Sequence, residues 1–341
     1  MAVDTNGATH PVDMIEGWQP TCRRPDGLIL PARLDPTGRT GPTRSAARHG
    51  RWQQVASGWY LPAEADLGVV EQRILAGASR LPEGGGVTAW AALRWRGAAY
   101  FTGVGPDDAV LPVPLLLGLG NLRPDSRVQL SKEQFAPWER EVVADLPCSS
   151  VERALFDEVR RLRGGRLGVV AIDMTAAAHL ITVERFAAYV ERRPAWIHVP
   201  KVRRCLLLAS DDARSPQEVL VRLVWVIDAG LARPLCNRPV FGLDGSLLGV
   251  PDLFDECAGV VGEYDGADHR RLDRRRTDSS REERFRDHGL EYFRVVEGEV
   301  ADRARLAARM HAVRRRARFL PPDRRRWTLE EPAWYLQRKA G

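Results

Sequence analysis

The strongest structural signal in this sequence is Gly249-Val250-Pro251-Asp252 together with Glu263-Tyr264-Asp265. The run Asp255-Glu256-Cys257-Ala258-Gly259 lies between them and ends in glycine, so the sequence predicts two strands joined as a hairpin. Because side chains alternate along a strand, Asp252 and Glu263 each occupy one face of their own strand. If the two faces coincide, the carboxylates crowd together and raise one another's pKa unless a cation neutralises them.

A hard divalent cation, Mg²⁺ or Mn²⁺, is the usual partner for such oxygen ligands. Asp252 and Glu263 are the predicted ligands. Glu218, on the preceding helix, is a candidate third ligand. It is equally explained as part of a capping box, because Ser215 is a good N-cap and Pro216 suits the first helical position. The acids are also compatible with a hairpin whose carboxylates simply face water.

Hydrophobic periodicity places these acids in a mixed α/β segment. The predicted order is α-β-β-β-α-β-α: a helix from 215 to 230, strands near 239–243, 247–254 and 260–265, a helix ending at 289, a strand at 291–296 and a helix at 302–319. Upstream, the sequence predicts strands on both sides of 57–58, helices at 69–81, 88–96 and 151–162, and strands at 110–117 and 167–174. The fold class is therefore α/β, with a mixed C-terminal sheet flanked by helices.

The net charge of +6 is unevenly distributed along the 341 residues. Residues 270–326 carry 19 Arg against 10 acidic residues, a surplus of +9, which leaves −3 for the remainder. A local basic excess beside an acidic cluster is typical of nucleic-acid binding, although 48 Arg against three Lys also fits a genomic base bias. The five cysteines are scattered and no signal peptide is evident, so a cytoplasmic protein is expected, with no membrane partner.

The segments SPQEVLVR, GVPDLFDE, VVGEYDGADHR and REERFRDHGLEYFRVV resemble the PD-(D/E)XK nuclease superfamily, and more narrowly the branch of very-short-patch-repair endonucleases. Upstream, GRWQQVASGWYLP and VTAWAALRWRGAAYFTG resemble AbiEi-type antitoxin-like regulators, which carry an N-terminal winged helix. The resemblances imply five regions: an irregular segment 1–40, a partial winged-helix-like module 41–62, a small α/β middle domain 63–205, a restriction-endonuclease-like domain 206–320 and a tail 321–341.

Carried over by motif, Asp252 matches the motif aspartate, Glu263 the second acid and Glu218 the helix acid. At position 265, where the superfamily usually has lysine, this chain has Asp265. His269 is then the best candidate to deprotonate the attacking water, because an imidazole can act as a base at neutral pH. It is also compatible with an ordinary surface position. The resemblance further places Asp278, Arg281 and Arg286 on a helix against the site.

Two groups of arginines are candidate phosphate contacts, because the guanidinium fork matches phosphate oxygens. The first group is Arg270, Arg271, Arg274, Arg275 and Arg276, and the second is Arg44, Arg48 and Arg51. The first group is interleaved with acids, so internal ion pairing explains it equally well.

Two functions follow as hypotheses. The first is a metal-dependent DNA endonuclease in DNA repair or phage defence, with Asp252, Glu263, Asp265, His269 and Glu218 at its centre. The second is a catalytically inactive DNA-binding regulator of antitoxin type, which the missing lysine favours. A homodimer and a partner toxin are further expectations, and processing of RNA or of damaged bases is a weaker third hypothesis.

Overall fold

The computed structural model describes residues 26–105, 107–266 and 281–340. The chain divides between Arg161 and Leu162 into an N-terminal and a C-terminal compact unit. The helices within 165–206, which the sequence assigned to the middle domain, belong to the C-terminal unit. The reason is that the first of them packs directly against the helix that begins at Pro216.

The N-terminal unit combines two sheets with three α-helices in its described residues. A three-stranded antiparallel sheet has the order β1-β3-β2, and a five-stranded mixed sheet has the order β6-β5-β4-β8-β7. The strands are β1 (Ala32–Arg33), β2 (Trp52–Ala56), β3 (Trp59–Pro62), β4 (Gly86–Val87), β5 (Val113–Leu116), β6 (Val128–Ser131), β7 (Arg140–Val143) and β8 (Leu146–Ser149). The helices are α1 (Val70–Ala78), α2 (Ala89–Trp95) and α3 (Val151–Arg161). The predicted helices, the hairpin around 57–58 and the buried strand at 113–116 are thereby confirmed.

Residues 26–62 contain few of the elements that a winged helix requires. Ala46–Arg48 is a single 3₁₀ turn followed by the β2–β3 hairpin. A turn of this length cannot enter a groove of DNA as a recognition helix does. Arg44, Arg48 and Arg51 are all exposed around it.

The C-terminal unit has helices on both sides of small sheets. The helices are α4 (Gly165–Ala177), α5 (Val183–Glu191), α6 (Val199–Leu206), α7 (Pro216–Leu223), α8 (281–287), α9 (Arg303–Arg316) and α10 (Ala333–Ala340). A π-helical turn, Val224–Asp228, continues α7. The strands are β9 (Val240–Gly242), β10 (Leu247–Gly249), β11 (Leu253–Asp255), β12 (Val260–Asp265), β13 (Glu291–Val296) and β14 (Trp327–Thr328). One sheet has the order β11-β12-β13 and another β10-β9-β14.

Two predicted strands are corrected. The strand predicted at 167–174 is wrong, because these residues lie in α4. A short apolar run fits a buried helix as well as a buried strand, and the residues from Gly168 to Ala176 are buried. The single strand predicted over 247–254 is two strands in different sheets. Pro251 interrupts it, since proline has no amide hydrogen to donate to a sheet.

The β11-β12-β13 sheet separates two apolar cores. Val260, Phe293 and Val295 face one core, where they meet α7 and α9 through Trp225 and Met310. Val261 and Tyr292 face the other core with Phe254 and Phe285, the latter on α8. The sheet is therefore packed on both of its faces, and this packing also fixes the backbone that carries Asp252 and Glu263. In the described residues, none of the helices has the length and apolar character needed to cross a membrane.

Candidate active site

Asp252 and Glu263 lie level with each other across the hairpin. β11 and β12 are antiparallel and Leu253 pairs with Gly262, so the next position outward brings Asp252 opposite Glu263. The backbone N–H of Tyr264 donates to Asp252 Oδ2 at 2.7 Å. The hairpin predicted from the sequence therefore does bring these two acids together, even though Asp252 lies just before β11 rather than within a strand.

Glu263 accepts a hydrogen bond at one oxygen and forms an ion pair through the other. The hydroxyl of Tyr292 donates to Oε2 at 2.8 Å, and Arg281 Nη2 forms an ion pair with Oε1 at 2.7 Å. The same Nη2 donates to the carbonyl of Val250 at 2.5 Å. Tyr292 reaches Glu263 because β12 and β13 are parallel and Val261 pairs with Tyr292, which puts the tyrosine on the face of Glu263. Glu263 in turn raises the pKa of Tyr292, in the same direction as burial.

The pKa of Asp252 is raised by its surroundings. Burial raises the pKa of Asp252 to about 7, and the charges of Glu218 and Glu263 act in the same direction. The hydrogen bond from the Tyr264 amide and the charge of Arg281 oppose the shift without cancelling it. Asp252 is thus part-protonated at neutral pH, as expected of a buried carboxylate with acidic neighbours.

Glu218 lies in the first turn of α7 and is also a member of the acidic group. Its amide donates to Ser215 Oγ at 3.3 Å, as the predicted N-cap requires. Its carboxylate accepts from the amide of Arg214 at 3.0 Å and from Asn237 Nδ2 at 2.8 Å. Ser215 therefore caps α7 as predicted, but the reciprocal bond of the capping box is not formed, because the carboxylate accepts from the amide of Arg214 rather than from that of Ser215. The same carboxylate raises the pKa of Asp252, which supports the other interpretation of Glu218 as a member of the acidic group.

Asp265, at the position where the family resemblance expects a lysine, contacts a cation of its own. Arg294 Nη1 lies 3.5 Å from Asp265 Oδ2, and Arg294 Nε donates to the hydroxyl of Tyr292 at 3.4 Å. Arg294 is in register with Glu263 on the neighbouring strand. The positive charge absent from position 265 is therefore present on the adjacent strand.

The remaining candidates are not among the described residues that contact this group within the C-terminal unit. His269 and the arginines 270, 271, 274, 275 and 276 lie outside the described residues, as does Asp278. Arg44, Arg48 and Arg51 belong to the N-terminal unit. Arg286 forms a surface ion pair with Glu282 at 2.9 Å. In the parts of the chain that the structure describes, no group of three or more His, Cys, Asp or Glu side chains is arranged as a metal site.

Sequence reasoning missed Tyr292 and Arg294, and it placed Arg281 near the site only through the family resemblance. A signal for the first two exists: Phe293 and Val295 are the apolar positions of β13, so period two assigns Tyr292 and Arg294 to the opposite face. No local pattern indicates which strand that face meets.

Comparison of this chain with protein-family models, with curated proteins and with solved structures gives no match. The chemistry of the site must therefore be derived from its own residues.

Proposed function

We propose that this chain is a metal-dependent DNA endonuclease whose C-terminal unit hydrolyses phosphodiester bonds in DNA repair or phage defence. The observation that supports this most strongly is the convergence of Asp252, Glu263 and Glu218 in a setting where burial first, and then the two neighbouring carboxylates, raise the pKa of Asp252 to about 7. Crowded carboxylates cost stability unless a cation offsets them, and hydrolysis of a phosphodiester is chemistry that a bound cation assists.

The donor set fits Mg²⁺ or Mn²⁺. Asp252 and Glu263 offer hard carboxylate oxygens on facing positions, and Glu218 lies within electrostatic reach. Mg²⁺ is usually bound by one or two carboxylates together with water and substrate phosphate, so a preformed set of three protein ligands is not required. Asp252 and Glu263 would hold the ion, with Glu218 as a third carboxylate. A bound divalent ion supplies a water of lowered pKa and neutralises charge on the phosphate.

The other residues have supporting roles in this proposal. Arg294 holds Asp265 beside the phosphate position and keeps its carboxylate from adding to the repulsion at Glu263. Tyr292 fixes the orientation of Glu263. His269, four residues beyond Asp265, accepts a proton from the attacking water, because imidazole titrates near neutral pH.

Contact with DNA is supported by arginines around the end of α9. Arg314 pairs with Asp255 at 2.9 Å and Arg325 pairs with Glu256 at 3.0 Å, which anchors this segment on the turn between β11 and β12. Their neighbours Arg315, Arg318, Arg324 and Arg326 are exposed and have no ion-pair partner among the described residues. Exposed guanidinium groups of this kind suit phosphate oxygens.

The second candidate is a DNA-binding regulator whose nuclease-like domain is inactive. Two observations favour it: Asp265 stands where the motif has lysine, and Arg281 already neutralises Glu263. In that case the arginines would still bind the DNA backbone, but the acids would hold the fold rather than a cation.

A plasmid-nicking assay separates the two. Purified full-length protein is incubated with supercoiled plasmid in Mg²⁺, Mn²⁺ or EDTA, alongside Asp252→Ala. We expect nicking with either metal, none in EDTA, and a loss of more than about 100-fold in the variant, since even residues that only support metal ligands cost 10–100-fold. DNA affinity of the variant should be equal or higher, because a negative charge near phosphate is removed.

The matched control is Asp323→Ala, an exposed aspartate outside the acidic group, which should nick at the wild-type rate. Wild-type nicking by Asp252→Ala would remove Asp252 from the mechanism. Salt-sensitive DNA binding without nicking in either metal would establish the regulator instead.

A further inference from the structure

The guanidinium of Arg281 occupies the place where a cation would meet Glu263. Its Nη2 lies 2.7 Å from Glu263 Oε1, while Tyr292 holds the other oxygen at 2.8 Å. A positive group is thus already bound to one of the two proposed metal ligands. A divalent ion and this guanidinium cannot both take the same oxygen.

The pose of Arg281 depends on a close backbone approach. A Cβ at position 249 would lie 2.9 Å from Arg281 Nε and 2.6 Å from Phe285 Cζ, so only glycine leaves room for both side chains. Phe285, one turn later on α8, is fully buried and fixes the helix against the sheet. The head group then reaches across the hairpin to the Val250 carbonyl. The absence of a side chain at residue 249 therefore allows the guanidinium of Arg281 to reach Glu263.

The same pose leaves one donor uncompensated. Arg281 Nε is buried and has no hydrogen-bond partner among the residues described. A buried N–H without a partner costs free energy, which is recovered when the group returns to water. Arg281 therefore forms the contact with Glu263 at a cost, and another cation can replace it there. A guanidinium with 30% of its side chain exposed can swing outward without unpacking the core.

We propose that Arg281 is a positioning residue that competes with a divalent cation for Glu263 and keeps the site closed until the cation displaces it. This inference rests on the proposed function for its metal site. The closed state lowers the apparent affinity for metal by the fraction of molecules in the open state. Once displaced, the guanidinium remains beside the acids, where a phosphate oxygen of nucleic acid is its natural partner.

The test is Mn²⁺ binding to the full-length protein without DNA, measured by isothermal titration calorimetry. Arg281→Gln should bind Mn²⁺ about tenfold more tightly than the wild type, the gain expected if about one molecule in ten is open. Arg281→Lys should fall between them, since the ammonium group keeps the charge but ends a shorter side chain than the one whose Nη2 contacts Glu263. The matched control is Arg286→Gln, on the same helix with its partner at the surface, which should bind like the wild type.

Two further variants distinguish displacement from a general effect of charge. Arg294→Gln removes an equal charge, that of a guanidinium 3.5 Å from Asp265, but leaves the Arg281–Glu263 ion pair in place, so its gain should be small. The gain from Arg281→Gln should also vanish in a Glu263→Gln background, because the two substitutions act on one contact. An equal gain in Arg294→Gln, or a gain that persists without Glu263, would overturn the proposal.

The outcomes also separate this inference from the proposed function. Unchanged Mn²⁺ affinity in Arg281→Gln, with metal-dependent nicking intact in the wild type, refutes competition alone. No Mn²⁺ binding by any variant refutes the metal site and the competition together. Circular dichroism and the thermal midpoint establish that each variant is folded before it is titrated.

Discussion

The two units each contain a cluster of acids, and the clusters differ in their balance of charge. In the N-terminal unit Asp157 is fully buried and meets two arginines: Arg153 Nε at 3.1 Å and Arg160 Nη2 at 2.8 Å. Arg153 also pairs with Glu139 and Glu133, at 3.3 and 2.6 Å. Thr88 donates to Asp157 Oδ2 at 2.6 Å, which completes the network.

Among the described residues, the C-terminal cluster has more acid than base. Asp252 receives a backbone amide but no side-chain cation at hydrogen-bond distance in the described residues, and burial and its acidic neighbours raise its pKa to about 7. Glu133 behaves in the opposite way: although burial alone would raise it, its pKa is lowered by the hydrogen bond and charges of its arginine partners. Asp252 and Glu133 therefore differ in the direction of their pKa shifts, because arginine partners outweigh burial at Glu133, whereas the charge of Arg281 does not outweigh it at Asp252.

The largest expected effect concerns the buried network around Asp157 in the N-terminal unit. Asp157→Asn should reduce the free energy of unfolding of the N-terminal unit by about 3–5 kcal/mol, because it removes the buried carboxylate that Arg153 and Arg160 share. Hydrogen exchange of peptides from α2 and α3, followed by mass spectrometry, measures this loss. Asp107→Asn, an exposed aspartate in the same unit, is the control and should change little. A loss below about 1 kcal/mol would mean that the network is not a stabilising one.

Substitution of Asp252 is expected to raise the free energy of unfolding rather than lower it. Its folded-state pKa of about 7 lies above the ordinary value, so the folded state retains a proton that the unfolded chain releases, and stability falls as pH rises from about 4 to 7. Asp252→Asn removes this dependence while its amide oxygen still accepts from Tyr264. In EDTA at pH 8 the variant should be more stable than the wild type by about 2 kcal/mol. This is less than the full free energy that corresponds to the pKa shift, because the side chain keeps some contact with water.

Urea unfolding of wild type and Asp252→Asn at pH 5, 6, 7 and 8 measures that difference. The exposed Asp323→Asn should give a curve parallel to the wild type. If wild-type stability rose with pH relative to Asp252→Asn, Asp252 would be an acid with a lowered pKa like Glu133, and the contrast between the clusters would fail.

The smallest expected effect concerns the surface around the acidic group. A variant with Arg315, Arg318, Arg324 and Arg326 all changed to Gln should bind duplex DNA about tenfold to 100-fold more weakly, and its salt dependence should fall by about one unit for each lost phosphate contact. The comparison variant changes Arg44, Arg48 and Arg51 to Gln. Fluorescence anisotropy at several salt concentrations measures both. A larger loss in the second variant would place the main DNA contact in the N-terminal unit.

Features of the C-terminal unit that depend on neighbouring residues could be predicted from the sequence. Ser215 caps α7 as expected, because an N-cap satisfies amides only three residues away. The turn before β12 was also predicted, and Gly259 adopts the positive φ of 71° that favours glycine. The strand at 291–296 follows from local alternation and is confirmed.

Features that depend on distant residues could not be predicted. The ion pair between Arg281 and Glu263 joins positions 18 residues apart, and it forms only because α8 packs against the sheet through Phe285. The break at Pro251 was missed because the flanking residues alternate as a single strand would. The parallel pairing that brings Tyr292 to Glu263 has no local signal. Parallel strands are joined by a long crossover connection, and the sequence of that connection does not show which strands pair.

The sequence by itself determined that Asp252 and Glu263 would approach each other, because a short turn and alternating side chains fix a hairpin locally. Only the tertiary structure decided the electrostatic state of the two acids. That state depends on Arg281, Tyr292 and Glu218, which reach the hairpin from three other elements. Burial and charge are properties of the packed surroundings, so the pKa of Asp252 and the cation at Glu263 emerge only when those elements assemble.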